Sequence, residues 1–171
     1  MSKLKKRIGI LTGGGDVPPL NSLIYSVKKK AIATDVDVIG FIKGWQGILN
    51  NDYIDLKKIE INPNIGGTIL KSSRINLEAI NKGPERVINA LNKLKISGLI
   101  VVGGDDTLRN SFLISNFPQV LISKTIDNDI GKVIVEGKNI KVINYFTLGF
   151  PTAAEKISSI VSLKNGLRTT A

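Results

Sequence analysis

Three short segments hold the residues best suited to chemistry, and each sets acids or cations beside a turn. Residues 12–16 read "TGGGD", residues 103–106 read "GGDD" and residues 124–129 read "KTIDND". Glycines such as Gly13 and Gly14 let backbone N–H groups approach an anion, and a helix opening behind them adds a favourable field. At "GGDD", Gly103 and Gly104 permit a sharp turn and a close phosphate, and an aspartate at the tip can hold Mg²⁺ against phosphate oxygens. The plainer reading is that Asp105 or Asp106 caps the following helix. Asp127 and Asp129 stand at i, i+2, which on extended backbone turns both the same way. One can accept a proton from an attacking hydroxyl while the other orients a metal or neighbour. Taken alone, that pair is better explained by an Asx turn. Arg74 ends "GGTILKSSR" and Lys124 precedes "TIDND", so both can neutralise a transferring phosphoryl group.

The elements that must position these residues alternate strand and helix. Ile8–Leu11 reads as a short strand running into "TGGGD", and residues 18–33 carry apolar side chains at helical spacing. Residues 36–41 form the next strand, and "KGWQGI" and "NIGGTILKSSR" read as loops. Pro84–Lys95 places Val87, Ile88, Leu91 and Leu94 on one helical face, with Pro84 in the first turn. Leu99–Val102 and Gln119–Ser123 read as strands buried on both faces, the pattern of a parallel sheet. Residues 106–116 and 152–163 complete the helices. This alternation predicts an α/β fold with a doubly wound, mostly parallel, Rossmann-like sheet, whose ligand lies beyond the carboxyl ends of its strands. The three chemical segments all fall at those ends and are expected to converge on one cleft.

Bulk composition narrows the chemistry further. The chain has 171 residues, no cysteine and no histidine, so disulfides, thiolate metal sites and imidazole bases are excluded and acid–base work falls to carboxylates or lysines. The formal charge of +10 is spread over scattered lysines, with few aromatics, which argues against a nucleic-acid module and suits a small phosphorylated ligand. No apolar run is long enough to span a bilayer and none near the start suits a signal h-region, so a cytoplasmic location without a membrane partner is expected.

"IGILTGGGDVPPLN", "GGTILKSSR", "LIVVGGDDT", "KTIDNDI" and "TLGFPTAAE" together resemble the 6-phosphofructokinases, in order and spacing, over nearly the whole chain. The resemblance implies phosphoryl transfer to the 1-hydroxyl of fructose 6-phosphate with Mg²⁺, as a step of glycolysis. It implies that Asp127 is the catalytic base, Asp129 its neighbouring carboxylate, Thr125 a contact to the acceptor and Asp105 the metal-associated acid. Gly13, Gly14 and Arg74, with Gly104, Asp106 and Lys124, match the donor-phosphate side. In ATP-dependent members the positions of Asp106 and Lys124 are typically glycine. An aspartate at 106 fills and repels where an α-phosphate would lie, and a lysine at 124 offers a cation to pyrophosphate. The expected donor is therefore pyrophosphate, with ATP the alternative.

Several departures accompany the resemblance. Pro19 and Lys71 stand where the family usually has glycine, and residues 130–146 suggest an insertion or a lengthened hairpin. The family continues past "RTTA" into a second domain whose arginines hold the sugar 6-phosphate. Residues 1–150 are thus expected to form the donor-binding domain and 151–171 the first helix of a truncated sugar-phosphate domain. The chain alone is expected to be inactive, and the full-length family member to be a homo-oligomer. The reading from a different class is a non-catalytic remnant or regulatory fragment that binds polyphosphate or a full-length partner.

Overall fold

The computed structural model of the chain describes residues 5–130, 133–136, 139–142 and 146–168. Among the described residues, eight strands and five α-helices follow in order: β1 (Arg7–Thr12), α1 (Leu20–Ala33), β2 (Asp37–Phe41), α2 (Trp45–Asn50), β3 (Tyr53–Asp55), α3 (Gly83–Lys93), β4 (Gly98–Gly103), α4 (Asp105–Phe112), β5 (Gln119–Thr125), β6 (Val133–Glu136), β7 (Asn139–Val142), β8 (Leu148–Gly149) and α5 (Phe150–Arg168). Six strands form one sheet in the order β3-β2-β1-β4-β5-β8, parallel except for the antiparallel edge pair β2–β3. This is the expected mostly parallel α/β architecture.

Alternation along the central strands sends successive side chains to opposite faces, and both faces are covered. Ile10, Val38 and Val102 pack with Leu20, Ile24 and Ala31 of α1 and with Leu56 and Leu70. Leu11, Phe41, Leu99 and Val101 pack on the other face with Trp45 and Ile48 of α2, Val87 and Leu91 of α3, and Ile114. Fully burying each such side chain contributes roughly 1.5–3 kcal/mol. From β1 the chain crosses through α1 to β2 on one side, and later passes through α3 to β4 on the other. The direction of winding therefore reverses between β1 and β4, where a crevice opens at the strands' carboxyl ends. Gly13 and Gly104 follow those two ends directly.

Three readings of local structure change. "KGWQGI" is not a loop: Trp45, Gly47 and Ile48 are buried in the short helix α2. At six residues it is too short to display a period. Gly47 is needed there because a Cβ would lie 2.2 Å from the Ile42 carbonyl oxygen. Strand β5 is not buried throughout, since Val120 is 60% and Leu121 38% exposed. Its outer neighbour β8 pairs only with Lys124 and Thr125, which leaves the rest of β5 as a sheet edge. Helix α1 begins at Leu20 rather than behind "TGGGD", with Pro19 at its N-cap. Pro18 disfavours helical backbone at Val17, and a proline at the cap removes no intrahelical hydrogen bond.

Within residues 130–146, β6 and β7 pair as an antiparallel hairpin. Residues 131–132, 137–138 and 143–145 of that segment lie outside the described residues. Among the described residues no helix is long and apolar enough to cross a membrane.

Candidate active site

One cleft of about 310 Å³ is lined by Gly15, Asp16, Val17, Arg74, Gly104, Asp105, Lys124, Thr125, Ile126, Asp127, Asp129 and Ile130. The three chemical segments and Arg74 therefore do converge, above the crevice between β1 and β4. Asp106 lies next door, lining a recess of about 280 Å³ with Arg74, Ile75, Asn76, Glu78, Arg109 and Asn110. Arg74 belongs to both spaces.

The first turn is built on close packing. Gly13 is buried, and its N–H donates to the Val102 carbonyl at 2.9 Å, extending the ladder between β1 and β4. A Cβ on Gly13 would stand 2.5 Å from Thr107 Oγ1, and one on Gly103 would stand 2.4 Å from Thr107 Cβ. Both glycines thus admit the buried Thr107 of α4. With the Gly13 N–H engaged, Gly14 and Gly15 supply the turn's available N–H groups, and Gly14 takes the left-handed conformation at φ +77°.

The helix terminus facing this cleft is that of α4, not of α1. Gly104 is its N-cap, and Asp105 and Asp106 lie in its first turn without making a side-chain cap bond. The capping reading of the paired acids therefore fails, although their charge suits the helix dipole. Asp105 makes one ion pair, 3.3 Å from Arg109 one turn on, with both side chains 71% exposed. Such a pair contributes only a few tenths of a kcal/mol, roughly 0.3–0.5, and leaves the acid available. Among the described residues no group of three or more acid side chains is placed to hold a metal ion. Mg²⁺ usually takes one or two carboxylates and completes its shell with water and phosphate oxygens. Asp105 on the cleft wall fits that mode.

Lys124 is the most constrained of the site residues. It is 2% exposed, and its ammonium donates to the Gly15 carbonyl across the turn. Burial pulls its pKa below the ordinary lysine value; Asp16 opposes that shift and Arg74 adds to it. The folded chain thus releases this proton at lower pH than the unfolded chain, so the residue's contribution to stability improves as pH rises between those two values.

The loop after β5 is held by short-range hydrogen bonds and by Thr147. Thr125 Oγ1 accepts from the Asp127 N–H at 3.0 Å, and the Thr125 hydroxyl lies 3.3 Å from Asp127 Oδ2. Asn128 takes a left-handed backbone at φ +56° and turns its buried side chain inward, accepting from the Thr147 N–H at 2.9 Å. The Thr147 hydroxyl donates to the Thr125 carbonyl at 2.6 Å. Asp127 and Asp129 therefore face one cleft because Asn128 is pinned beneath them, not because the backbone is extended.

Several residues that shape the cleft carry no motif. Asn110 donates to the Ile75 carbonyl at 2.6 Å and accepts from the Leu77 N–H at 3.1 Å, which fixes the segment after Arg74. Trp45 Nε1 donates to the Thr107 carbonyl at 3.1 Å, tying α2 to the first turn of α4. A signal for Asn110 exists in the sequence: α4 buries Thr107, Asn110 and Ser111, a polar face where an apolar stripe is usual. Trp45 has none, and Thr147, although it opens "TLGFPTAAE", is not marked by that segment as the partner of Asn128.

Lys71, one of the departures, takes φ +58° while its carbonyl accepts from Thr12 Oγ1 at 2.9 Å. A side chain in this conformation costs roughly 1 kcal/mol relative to glycine. Lys71→Gly is expected to stabilise the chain by about that amount, read as a higher denaturant midpoint at unchanged m.

A family model described as phosphofructokinase matches residues 7–171. An ATP-dependent 6-phosphofructokinase of Streptomyces coelicolor is 39% identical over 96% of this chain and 46% of its own length. A pyrophosphate–fructose 6-phosphate 1-phosphotransferase of Dictyoglomus thermophilum is 37% identical over 90% of this chain and 42% of its own length. The chain thus spans less than half the length of these relatives. Among solved structures, the fold is similar to Pichia pastoris phosphofructokinase in the T-state, with a TM-score of 0.75 at 22% identity over 93% of this chain and 18% of that one. The family match over residues 7–171, with these two identities, establishes that the chain belongs to the phosphofructokinase family.

Proposed function

We propose that this chain carries the phosphoryl-donor site and the catalytic acids of a 6-phosphofructokinase whose donor is pyrophosphate. The observation that carries the reading is the meeting of Lys124, Arg74, Asp105 and Asp127 in one cleft of about 310 Å³, with Asp106 guarding the adjoining recess.

In the proposed reaction the 1-hydroxyl of fructose 6-phosphate attacks the terminal phosphorus of the donor. Asp127 accepts the hydroxyl proton as the new O–P bond forms, the bridging P–O bond breaks, and inorganic phosphate leaves. The products are fructose 1,6-bisphosphate and phosphate. Thr125 holds Asp127 by accepting its N–H. Lys124, Arg74 and the N–H groups of Gly14, Gly15 and the first turn of α4 surround the donor oxygens. Mg²⁺, held by Asp105, would supply charge neutralisation on those oxygens. Binding the acceptor's 6-phosphate is not assigned to these residues, so the chain alone is expected to bind the donor without turning over.

For the donor, charge and space decide. An ATP α-phosphate and nucleoside must extend beyond the two terminal phosphates, and Asp106 sets a negative charge at the recess beside the cleft. Pyrophosphate needs no such space and gains the Lys124 cation. ATP remains the second reading because the Streptomyces coelicolor relative is named as ATP-dependent. The double substitution Asp106→Gly with Lys124→Gly separates them. It is expected to shift the ratio of pyrophosphate to ATP affinity about tenfold or more toward ATP, measured calorimetrically with Mg²⁺. An unchanged ratio contradicts the donor assignment.

A further inference from the structure

Arg74 lines both the cleft and the recess beside it, yet among the described residues its guanidinium makes no hydrogen bond or ion pair. Its reach is therefore set by its backbone. That backbone lies in residues 71–76, which belong to no helix or strand, so no ladder holds it. Side chains do so instead. On one side of Arg74, Ser73 Oγ donates to the Lys43 carbonyl at 2.6 Å. On the other, Asn110 Nδ2 donates to the Ile75 carbonyl at 2.6 Å, and Asn110 Oδ1 accepts from the Leu77 N–H at 3.1 Å. Asn110 is 3% exposed, so water is a poor substitute for either bond.

We propose that Asn110 is a positioning residue of the donor site: its buried carboxamide straps residues 75–77 to α4 and so fixes the point from which Arg74 reaches the cleft. The consequence for binding rests on the donor reading, while the placement of residue 74 stands apart from it. The two bonds are not equivalent. Leu77 is buried in the core with Val87, Leu91 and Ile114, so its own side chain already holds it. Ile75 is only partly buried, and its carbonyl lies one residue from Arg74. The bond to Ile75 is the one that acts on the arginine.

The chemistry of the place selects the residue. Ile75 offers an acceptor and Leu77 a donor, and a carboxamide answers both, whereas a carboxylate can answer only Leu77. Position on the helix matters as well. Asn110 follows Asp106 by one turn, and both line the recess with Arg74 and Arg109. The helix that carries Asp105 and Asp106 thus also carries the strap for Arg74. The acids and the arginine are held as one rigid piece, which keeps the planar guanidinium at the distance and angle that a phosphate requires.

The test uses the absence of cysteine from the chain. A nitroxide on Arg74→Cys is then a single label, and its paramagnetic resonance spectrum reports the mobility of residue 74. Adding Asn110→Ala is expected to narrow that spectrum, while a nitroxide on Ser26→Cys, exposed on α1, keeps its line shape. Asn110→Asp, which keeps the acceptor for Leu77 and loses the donor to Ile75, is expected to act in the same direction and serves if Asn110→Ala does not fold. An unchanged spectrum at residue 74 in these variants overturns the proposal. Pyrophosphate affinity, measured calorimetrically with Mg²⁺, is a separate arm. Asn110→Ala is expected to weaken it about tenfold in the parent chain, but less than about twofold when Arg74→Met is already present, the coupling of a residue that acts through the arginine. Equal losses in both backgrounds overturn the proposal, because general loosening of the fold acts with or without Arg74. A parent chain that binds no pyrophosphate refutes the donor reading, while the nitroxide spectrum still decides what holds residue 74.

Discussion

Replacing Asp127 with asparagine is expected to lower turnover by about 10³-fold, within the range for loss of a general base. The natural setting is a chimaera that joins this chain to the remainder of the Streptomyces coelicolor relative, assayed for fructose 1,6-bisphosphate. Asparagine keeps the size of the side chain and the N–H that Thr125 Oγ1 receives at 3.0 Å, so the loop should persist. The KM for the donor is expected to stay within about threefold, because an interaction made in the transition state is lost rather than uniform binding. A fall confined to KM would assign Asp127 to substrate binding instead.

The second large effect is on stability. Gly103→Ala places a methyl 2.4 Å from Thr107 Cβ and 2.5 Å from its Cγ2, with β4 on one side and α4 on the other. Neither partner is the free end of a flexible side chain. Overpacking of this kind costs about 3 kcal/mol, which for a chain of this size lowers the melting temperature by roughly 6–12 °C. Adding Thr107→Gly to the same chain is expected to recover part of the loss by removing the obstructing side chain. If Gly103→Ala melts like the parent, the glycine is not there for Thr107, and the packing account of the donor turn is wrong.

These two positions also show how much the residues disclose before folding. The strands β1 and β4 were legible because their apolar runs end abruptly at glycine, and a parallel sheet places such ends together. Convergence of "TGGGD", "GGDD" and "KTIDND" followed from that topology alone. The purpose of individual glycines did not, since Gly13 and Gly103 owe their identity to Thr107, which is distant in sequence from one of them and unremarkable beside the other. The helix α2 was hidden by its length, and the exposure of β5 by the shortness of its partner β8, a feature of the neighbour rather than of the strand. The i, i+2 pair of acids was found for an incomplete reason: Asn128, between them, does the anchoring through Thr147.

Lys71 and Pro19 teach the complementary lesson. Each replaces a glycine usual in the family, and the fold accommodates each locally. Pro19 occupies an N-cap where no helical N–H is needed, and Lys71 accepts a left-handed backbone at φ +58°. The cost at Lys71 is one of stability, not of access to the cleft, whose walls do not include it.

The most direct measurement of the central claim is calorimetric titration of the unsubstituted chain with pyrophosphate in the presence of Mg²⁺, set beside the same titration with ATP. The account predicts saturable binding of pyrophosphate at one site, tighter than ATP, and lost when Lys124 is replaced by methionine. Absence of saturable binding for both anions would contradict it.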